Sequence, residues 1–472
     1  MEPPEDFMDT TLLLDALRRA HLADPDPDAP IRIDRLRRLE TALQAWESRL
    51  VAAIHADFGH RSAAESGLFD ITLPIADIRF ARRSLRRWMR PRRVAVPAYL
   101  QPAKALLRPQ PLGVVGIIAP WNFPVYLTAG PLAMVLAAGN RAMVKPSELT
   151  PATADVLNAL LTETFAPDEV ACVTGGPDVA ANVAALPFDH LVFTGSTAVG
   201  RKVAEAAARN LTPVTLELGG KSPAILAASA DPQRAARRIA WGKLANAGQI
   251  CIAPDYALVH RPLIGPFVDS LAEAMRRMLP EGAASADYGA IVSDRHRTRL
   301  ESLLAEAEAA GARVIRPVGA APGPGLRRMA PAIVLDPPPD LRLMQEEIFG
   351  PILPVIAYDS RDEALARVAD GPRPLALYLF AEAAEDRQAW IARSLAGGMA
   401  VNDTLLHVAC NGLPFGGVGA SGTGSWHGED GFRRFSHMKP VLIQSRLNGG
   451  FLMEPPFSGW KARALRIFRR IV

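Results

Sequence analysis

Only three of the 472 residues are cysteines, Cys172, Cys251 and Cys410, an odd number, far apart and in no metal-ligand spacing. That scarcity excludes a disulfide framework and gives no metal site, so reduced thiols in the cytoplasm are expected. Long hydrophobic runs are missing too: none approaches the roughly 18 residues of a spanning helix. The opening Met1-Glu2-Pro3-Pro4-Glu5-Asp6 lacks the basic-then-apolar layout of a secretory leader. Nor does one sign of charge dominate, since 53 basic and 49 acidic residues leave a net charge of +4. One segment departs from this balance, with eight arginines in the fifteen residues from Arg79 to Arg93. Ile78, Ala81, Leu85 and Trp88 lie opposite them at helical spacing and no aromatic recognition motif accompanies them. A solvated helix face is therefore expected, not a nucleic-acid partner. What is present is an ordinary soluble composition, 49% hydrophobic and 22% charged, in a chain long enough for two or three domains.

The chemistry concentrates between Thr215 and Pro254. Leu216-Glu217-Leu218-Gly219-Gly220-Lys221 opens this stretch, and Asn246-Ala247-Gly248-Gln249-Ile250-Cys251 closes it. Cysteine is a strong nucleophile, a few per cent thiolate at neutral pH from a reference pKa of about 8.5. A carboxylate nearby can accept a proton from water or from the thiol. Alone, Cys251 reads as a small buried hydrophobe and Glu217 as a surface charge. Beside glycines that let backbone approach a ligand closely, the chemical reading is the better one.

Periodicity supplies the scaffold. Leu36, Leu39, Leu43, Trp46, Leu50 and Ile54 form one stripe and predict a helix from about Asp34 to Phe58; a second is predicted over Leu68 to Met89. Val94 to Arg108 is proline-punctuated and partly extended. Strands are then predicted at Val114–Ala119, Ala142–Lys145, Val170–Val173 and His190–Phe193, with helices at Tyr126–Ala138 and from Pro151 between them. From Pro223 the alternation resumes, with strands at Asp255–His260, Arg313–Arg316, Pro351–Tyr358 and Leu375–Phe380. Strand and helix at this rhythm mean an α/β fold with doubly wound, largely parallel sheets, in two domains.

Several loops at strand ends carry ligand-binding residues. Phe193-Thr194-Gly195-Ser196-Thr197 opens a helix, whose free N–H groups suit a pyrophosphate, although the spacing is not the usual G-x-G-x-x-G. Lys145-Pro146-Ser147-Glu148 offers a cation and a carboxylate to a ribose. In Pro120-Trp121-Asn122-Phe123-Pro124, the Asn122 amide can donate to a developing oxyanion. Glu346-Glu347-Ile348-Phe349-Gly350-Pro351 adds a carboxylate and an aromatic. Each also reads plainly as a loop rich in turn residues.

In order, these motifs and Leu413-Pro414-Phe415-Gly416-Gly417 resemble the NAD(P)-dependent aldehyde dehydrogenase superfamily across nearly the full chain. Lys145-Pro146-Ser147-Glu148 and Ala253-Pro254-Asp255-Tyr256 resemble its class 3 branch. Asp57-Phe58-Gly59-His60-Arg61-Ser62 and Trp88-Met89-Arg90-Pro91-Arg92-Arg93 look most like bacterial coniferyl aldehyde dehydrogenases. The resemblance implies that Cys251 attacks the aldehyde while the Asn122 amide and the Cys251 backbone N–H hold the oxyanion. Glu217 would activate the water that hydrolyses the thioester. It implies NAD as cofactor, with NADP also accepted: Lys145 and Glu148 at the adenine ribose, Gly195 and Ser196 at the pyrophosphate, Glu347 at the nicotinamide ribose, and Phe349 and Trp121 beside it. It further implies a cofactor-binding unit from 1–93 and 109–214, a catalytic unit from 215–410, and a small β oligomerisation element from 94–108 and 411–472, hence a homodimer. Substrate-tunnel walls are expected from Trp121, Phe123, Tyr126, Ile250, Ile252 and His407, with Ile250 narrowing the tunnel where relatives carry a smaller or polar residue. Cys410-Asn411 is unusual for the loop before Leu413. A CoA-acylating enzyme is disfavoured by Glu217, a thiol hydrolase by the lack of a histidine in a motif-like setting, and an idle binding protein by the intact motif set. From Trp460 to Val472, Trp460, Ala464, Leu465, Ile467, Phe468 and Ile471 share one arc opposite Arg463, Arg466, Arg469 and Arg470. Such a basic amphipathic helix can lie on an anionic membrane or dock on its own dimer.

Overall fold

The computed structural model describes residues 10–319 and 327–471; Met1 to Asp6 and Val472, read above, lie outside them. The chain begins with helices, Thr10–Ala23, Ala29–Ala45 and Glu47–Phe58. The single helix expected from Asp34 to Phe58 is thus two helices that part at Trp46, whose backbone (φ −99°, ψ 4°) is not helical. The apolar stripe runs through the break with Leu36, Leu39, Leu43, Leu50 and Ile54 all buried, so periodicity could not reveal it. The helix expected from Leu68 is also interrupted. Ala63–Ser66 is α-helical, Gly67–Thr72 is a π-helical turn, and Leu73–Trp88 is α-helical again. Pro74, in the first turn of that last helix, lacks the N–H that a regular continuation would need, and a wide turn accommodates its absence. Along this helix, the arginine run is partly tethered: Arg79 and Arg82 each donate to the buried Glu40 carboxylate at 2.6 Å.

Two strands follow, β1 (Arg92–Val94) and β2 (Lys104–Pro111), where an extended segment was expected. Next come β3 (Val114–Ile118), β4 (Arg141–Lys145), β5 (Val170–Cys172), β6 (His190–Thr194) and β7 (Val214–Glu217). They pair in parallel in the order β7-β6-β3-β4-β5. Nearly every residue in them is buried, as helices on both faces require. The chain then builds a second sheet from β8 (Pro223–Leu226), β9 (Tyr256–His260), β10 (Arg313–Ile315), β11 (Ala332–Leu335), β12 (Ile352–Tyr358), β13 (Ala376–Phe380) and β14 (Gly398–Val401), ordered β10-β11-β12-β9-β8-β13-β14. Only the β10 edge is antiparallel. Two late strands return to the earlier sheets. Gly422–Thr423 (β15) pairs antiparallel with β7, and Ser436–Ile443 (β16) pairs antiparallel along the whole of β2.

The doubly wound reading therefore holds, with mixed edges. Periodicity had not shown β7, β8, β11, β14, β15, β16 or, among the helices, Thr10–Ala23. In the first sheet the chain leaves β3 for β4 and β5, then crosses back to β6 and β7 on the other side. Ligands bind at such a reversal, in the crevice beyond the carboxyl ends of the strands. No helix is long and apolar enough to cross a membrane among the described residues.

Candidate active site

The expected site residues gather at two facing sheet edges. Trp121 and Asn122 follow β3, Lys145 ends β4, Gly195 and Ser196 follow β6, and Glu217 ends β7. Each lies at a carboxyl end. Opposite them lie segments that enter the second sheet: Gly219-Gly220-Lys221 before β8, Cys251 before β9, and Glu347 to Gly350 before β12.

The Cys251 loop is held in a conformation few sequences adopt. Asn246, Ala247 and Gly248 have φ of 46°, 50° and 75°, the left-handed region that costs non-glycine residues energy. A methyl group on Gly248 would strike the Gly350 carbonyl, so the loop can meet the Glu347–Gly350 segment only through glycine. Gln249 fixes the turn, its Nε2 donating to the carbonyls of Asn246 and Ala290, both at 2.9 Å, and its Oε1 accepting the Val292 N–H at 3.0 Å. The Tyr378 hydroxyl anchors the far side by donating to the Ile252 carbonyl at 2.5 Å. From the first sheet, Asn122 Nδ2 donates to the Gln249 carbonyl at 3.1 Å. The carboxamide is thus stationed beside the cysteine loop with its second N–H free of that bond.

Two carboxylates border the thiol. Glu217 is 2% exposed, and neither of its oxygens meets a hydrogen-bond partner among the described residues. Its backbone is engaged, because the Gly195 N–H donates to the Glu217 carbonyl at 3.0 Å. Burial lifts the Glu217 carboxyl well above the usual carboxylate range. Glu347 is pushed up to about 8 by burial, with Asp255 adding to the effect and the Gly220 N–H opposing it. A methyl group at Gly219 would collide with the Glu347 carboxylate. Burial also raises the Cys251 thiol, and the charges of Glu347 and Glu217 raise it further.

Asp255 and Lys221 escaped sequence reasoning. The Asp255 carboxylate accepts Lys221 Nζ at 2.5 Å and the Ile348 N–H at 2.9 Å. Lys221 Nζ also reaches the Leu343 and Glu346 carbonyls at 2.9 Å. Together they clamp the Gly219–Lys221 loop to the Glu347 segment. A charged pair adjoining two separate motifs was the signal available in the sequence.

On the β4 and β6 side, Lys145 is fully buried and donates to Glu148 at 2.7 Å. Burial works to raise the Glu148 carboxyl, but the Lys145 hydrogen bond and charge hold it below its ordinary value. Ser196 caps the helix Thr197–Ala208, its hydroxyl accepting the Val199 N–H at 3.4 Å. Trp121 and Phe349 stand edge to face, with centroids 5.3 Å apart.

A second opening leads away from Cys251. Phe69, Phe123, Tyr126, Ile250, Ile252 and Trp426 are among the walls of a narrow slot of about 50 Å3 that ends on the cysteine. Two expected walls are absent from it. Trp121 turns toward Phe349 and His296 instead. His407 lies against Phe415 and Tyr378 with both ring nitrogens buried and without a hydrogen-bond partner among the described residues; Phe415, Leu405 and Val408 reach the slot in its place. Loop geometry, which no local pattern encodes, decides which neighbour points inward.

The residues fit a dinucleotide: a helix N-terminus and a buried lysine–carboxylate pair at the strand ends, with a glycine that leaves room for Glu347. A thiol between that crevice and an apolar slot is the layout of a nicotinamide-dependent oxidoreductase of aldehydes. The chain belongs to the aldehyde dehydrogenase family, whose profile it matches over residues 13–441. It is 47% identical over 440 residues to a Pseudomonas aeruginosa protein named "Probable coniferyl aldehyde dehydrogenase", covering 93% of this chain and 92% of that one. It is 40% identical over 429 residues to aldehyde dehydrogenase family 3 member A2 of Mus musculus, covering 91% and 87%. Staphylococcus aureus AldH, solved in a substrate-bound state, superposes with a TM-score of 0.91 at 38% identity, covering 97% of this chain and 99% of that one. The protein is an aldehyde dehydrogenase that uses NAD(P)+, of the branch that includes the coniferyl aldehyde and class 3 enzymes.

Proposed function

We propose that this enzyme oxidises 4-hydroxycinnamaldehydes such as coniferaldehyde to their acids, with NAD preferred over NADP. The observation that carries the substrate reading is the pairing of a narrow, apolar slot ending on Cys251 with 47% identity to a protein bearing the coniferyl name. The slot's walls are apolar, as a conjugated hydrocarbon frame requires. In the reaction, Cys251 Sγ gives its proton to solvent and the thiolate bonds to the aldehyde carbon, giving a thiohemiacetal oxyanion. The free N–H of Asn122 and the Cys251 backbone N–H receive the oxyanion. The bound dinucleotide supplies the hydride acceptor. Loss of hydride from the carbon leaves a thioester on Cys251. Glu217 then takes a proton from a water that attacks the thioester, and the acid departs as the thiol is restored. Lys145, Glu148, Gly195, Ser196, Glu347, Phe349 and Trp121 form the dinucleotide cradle. The ionised Glu148 favours a ribose hydroxyl over a 2′-phosphate, which supports the NAD preference.

This reading uses residues 1–93 and 109–214 for the cofactor and 215–410 for catalysis. Residues 94–108 and 411–472 join two copies into a cytoplasmic homodimer. A second reading, a broad medium-chain aliphatic aldehyde dehydrogenase, is favoured by the slot's lining. Apart from Cys251 it is hydrocarbon except for the Trp426 indole and the Tyr126 hydroxyl, and the latter already bonds to His427 at 3.2 Å. Apolar walls discriminate by only about 1–3 kcal/mol per methylene. A panel of aldehydes with both nicotinamide cofactors decides: kcat/KM is expected to be modestly higher for coniferaldehyde than for hexanal. A clear advantage for hexanal or a longer alkanal would establish the second reading.

A further inference from the structure

We infer that Arg61 is a positioning residue for the oxyanion donor: its guanidinium fixes the backbone of Asn122 and thereby aims the Asn122 carboxamide at the oxyanion on the carbon bonded to Cys251. The inference rests on the proposed role of Asn122. Arg61 lies between the helices Glu47–Phe58 and Ala63–Ser66, and its side chain is completely buried. Nη1 donates to the Asn122 carbonyl at 2.9 Å, and Asn246 Nδ2 donates to the same oxygen at 3.0 Å. A carbonyl has two lone pairs, and both of these are taken. The peptide plane that carries the Asn122 side chain is therefore fixed from two sides. The carboxamide itself gives one N–H to Gln249, which leaves the other as the only one it can offer a ligand.

The guanidinium is bound to both neighbours of that geometry. Nη2 faces Asp70 Oδ2 at 3.1 Å, with neither side chain exposed. Asp70 Oδ1 in turn accepts the N–H groups of Val125 and Tyr126 at 3.0 and 3.1 Å. The loop bearing Asn122 is thus gripped at Asn122 by Arg61 and three residues later by its ion partner. Glu65, 3.8 Å from Arg61 Nε, accepts the Asn246 N–H at 2.5 Å, which extends the same network to the strained turn before Cys251. The guanidinium sits over the Phe58 and Phe123 rings, 5.2 and 4.7 Å from their centroids, and Phe123 is also a wall of the slot. A buried ion pair is weak evidence for stability, because desolvation offsets much of its attraction. Arginine's rigid fork, by contrast, can hold a carbonyl and a carboxylate in one geometry, and lysine cannot reproduce it.

The test combines Arg61→Lys and Arg61→Met with Asn122→Ala, reading single-turnover cofactor reduction by stopped flow. Displacing a reacting group by about an ångström can cost on the order of 100-fold, so Arg61→Lys is expected to slow the first turnover roughly 10- to 100-fold. NAD affinity should stay at the parent value, and Arg61→Met should be slower still. In the Asn122→Ala background, Arg61→Lys is expected to cost nothing further, because the group it aims is gone. Equal fold-losses in both backgrounds, or a first turnover within twofold of the parent, would overturn the inference. Should Arg61→Met fail to fold, Arg61→Lys, which keeps the charge opposite Asp70, carries the comparison alone. If Asn122→Ala itself keeps the parent rate, the oxyanion assignment fails, a result distinct from failure of Arg61.

Discussion

Replacing Glu217 with glutamine tests the division of labour in the site. The side chain is 2% exposed and its oxygens have no hydrogen-bond partner among the described residues, so the substitution keeps the volume and breaks no bond. A positioned general base contributes about 10²- to 10⁴-fold. Steady-state kcat should fall by that factor in Glu217→Gln while the first turnover survives. In stopped flow the variant is expected to reduce about one cofactor per site in a burst and then crawl. Cys251→Ala, lacking the thiol, gives no burst. The pH dependence follows from burial: the carboxyl lies well above its ordinary 4.5, and each unit below its raised pKa lowers the ionised fraction about tenfold. The gap between parent and variant should therefore widen as pH rises. Stability has the opposite sign. The unfolded chain ionises this group near 4.5 while the folded chain keeps it neutral, so rising pH through the interval up to the raised value costs the parent stability. Glu217→Gln should match the parent's Tm at pH 4 and exceed it at pH 8. A parent-like steady-state rate, or a missing burst, refutes the assignment.

One substitution and one deletion test the cofactor and tail readings. Glu148→Gln removes the ionised carboxylate paired with Lys145 and should lower KM for NADP relative to NAD several-fold; an unchanged ratio removes Glu148 from cofactor choice. The tail helix Trp460–Ile471 touches its own chain where Phe468 meets Tyr99 at 5.2 Å, yet Trp460 and Ile467 are 62% and 56% exposed. Co-sedimentation with anionic liposomes is expected for the full chain and lost on deleting residues 459–472; equal binding by both forms rejects membrane contact.

The parallel strands were legible because burial on both faces leaves runs such as Val114–Ile118 with no polar residue, a pattern that survives without tertiary knowledge. The motif loops were legible for a related reason: glycines at Gly219 and Gly248 stand where side chains would collide with Glu347 and Gly350. What escaped was non-local. Arg61 serves a carbonyl 61 residues away, and nothing in its own segment separates it from a surface arginine. The π-helical turn at Gly67–Thr72 places Phe69 and Leu73 on the slot, and an ideal helix drawn through it would misassign that face. His407 was expected on the slot wall from its place in the loop before Leu413, but the loop turns Leu405 inward and seats the imidazole against Phe415.

The electrostatics of the cleft bear on the order of events. Glu347 and Glu217 both raise the thiol, and burial lifts the Glu217 carboxyl well above its ordinary value. In so dry a cleft an unpaired charge is costly, and two neighbouring negative charges are costlier still. A thiolate is therefore most accessible while Glu217 keeps its proton, which suits the attack on the aldehyde. Once the sulfur carries an acyl group it can bear no negative charge, and that repulsion no longer opposes ionisation of Glu217. Burial is unchanged by acylation, so the raised pKa of Glu217 persists into hydrolysis. On this assignment the charge that starts on sulfur leaves the carbon with the hydride, and Glu217 must release its own proton to solvent before it can accept one from water.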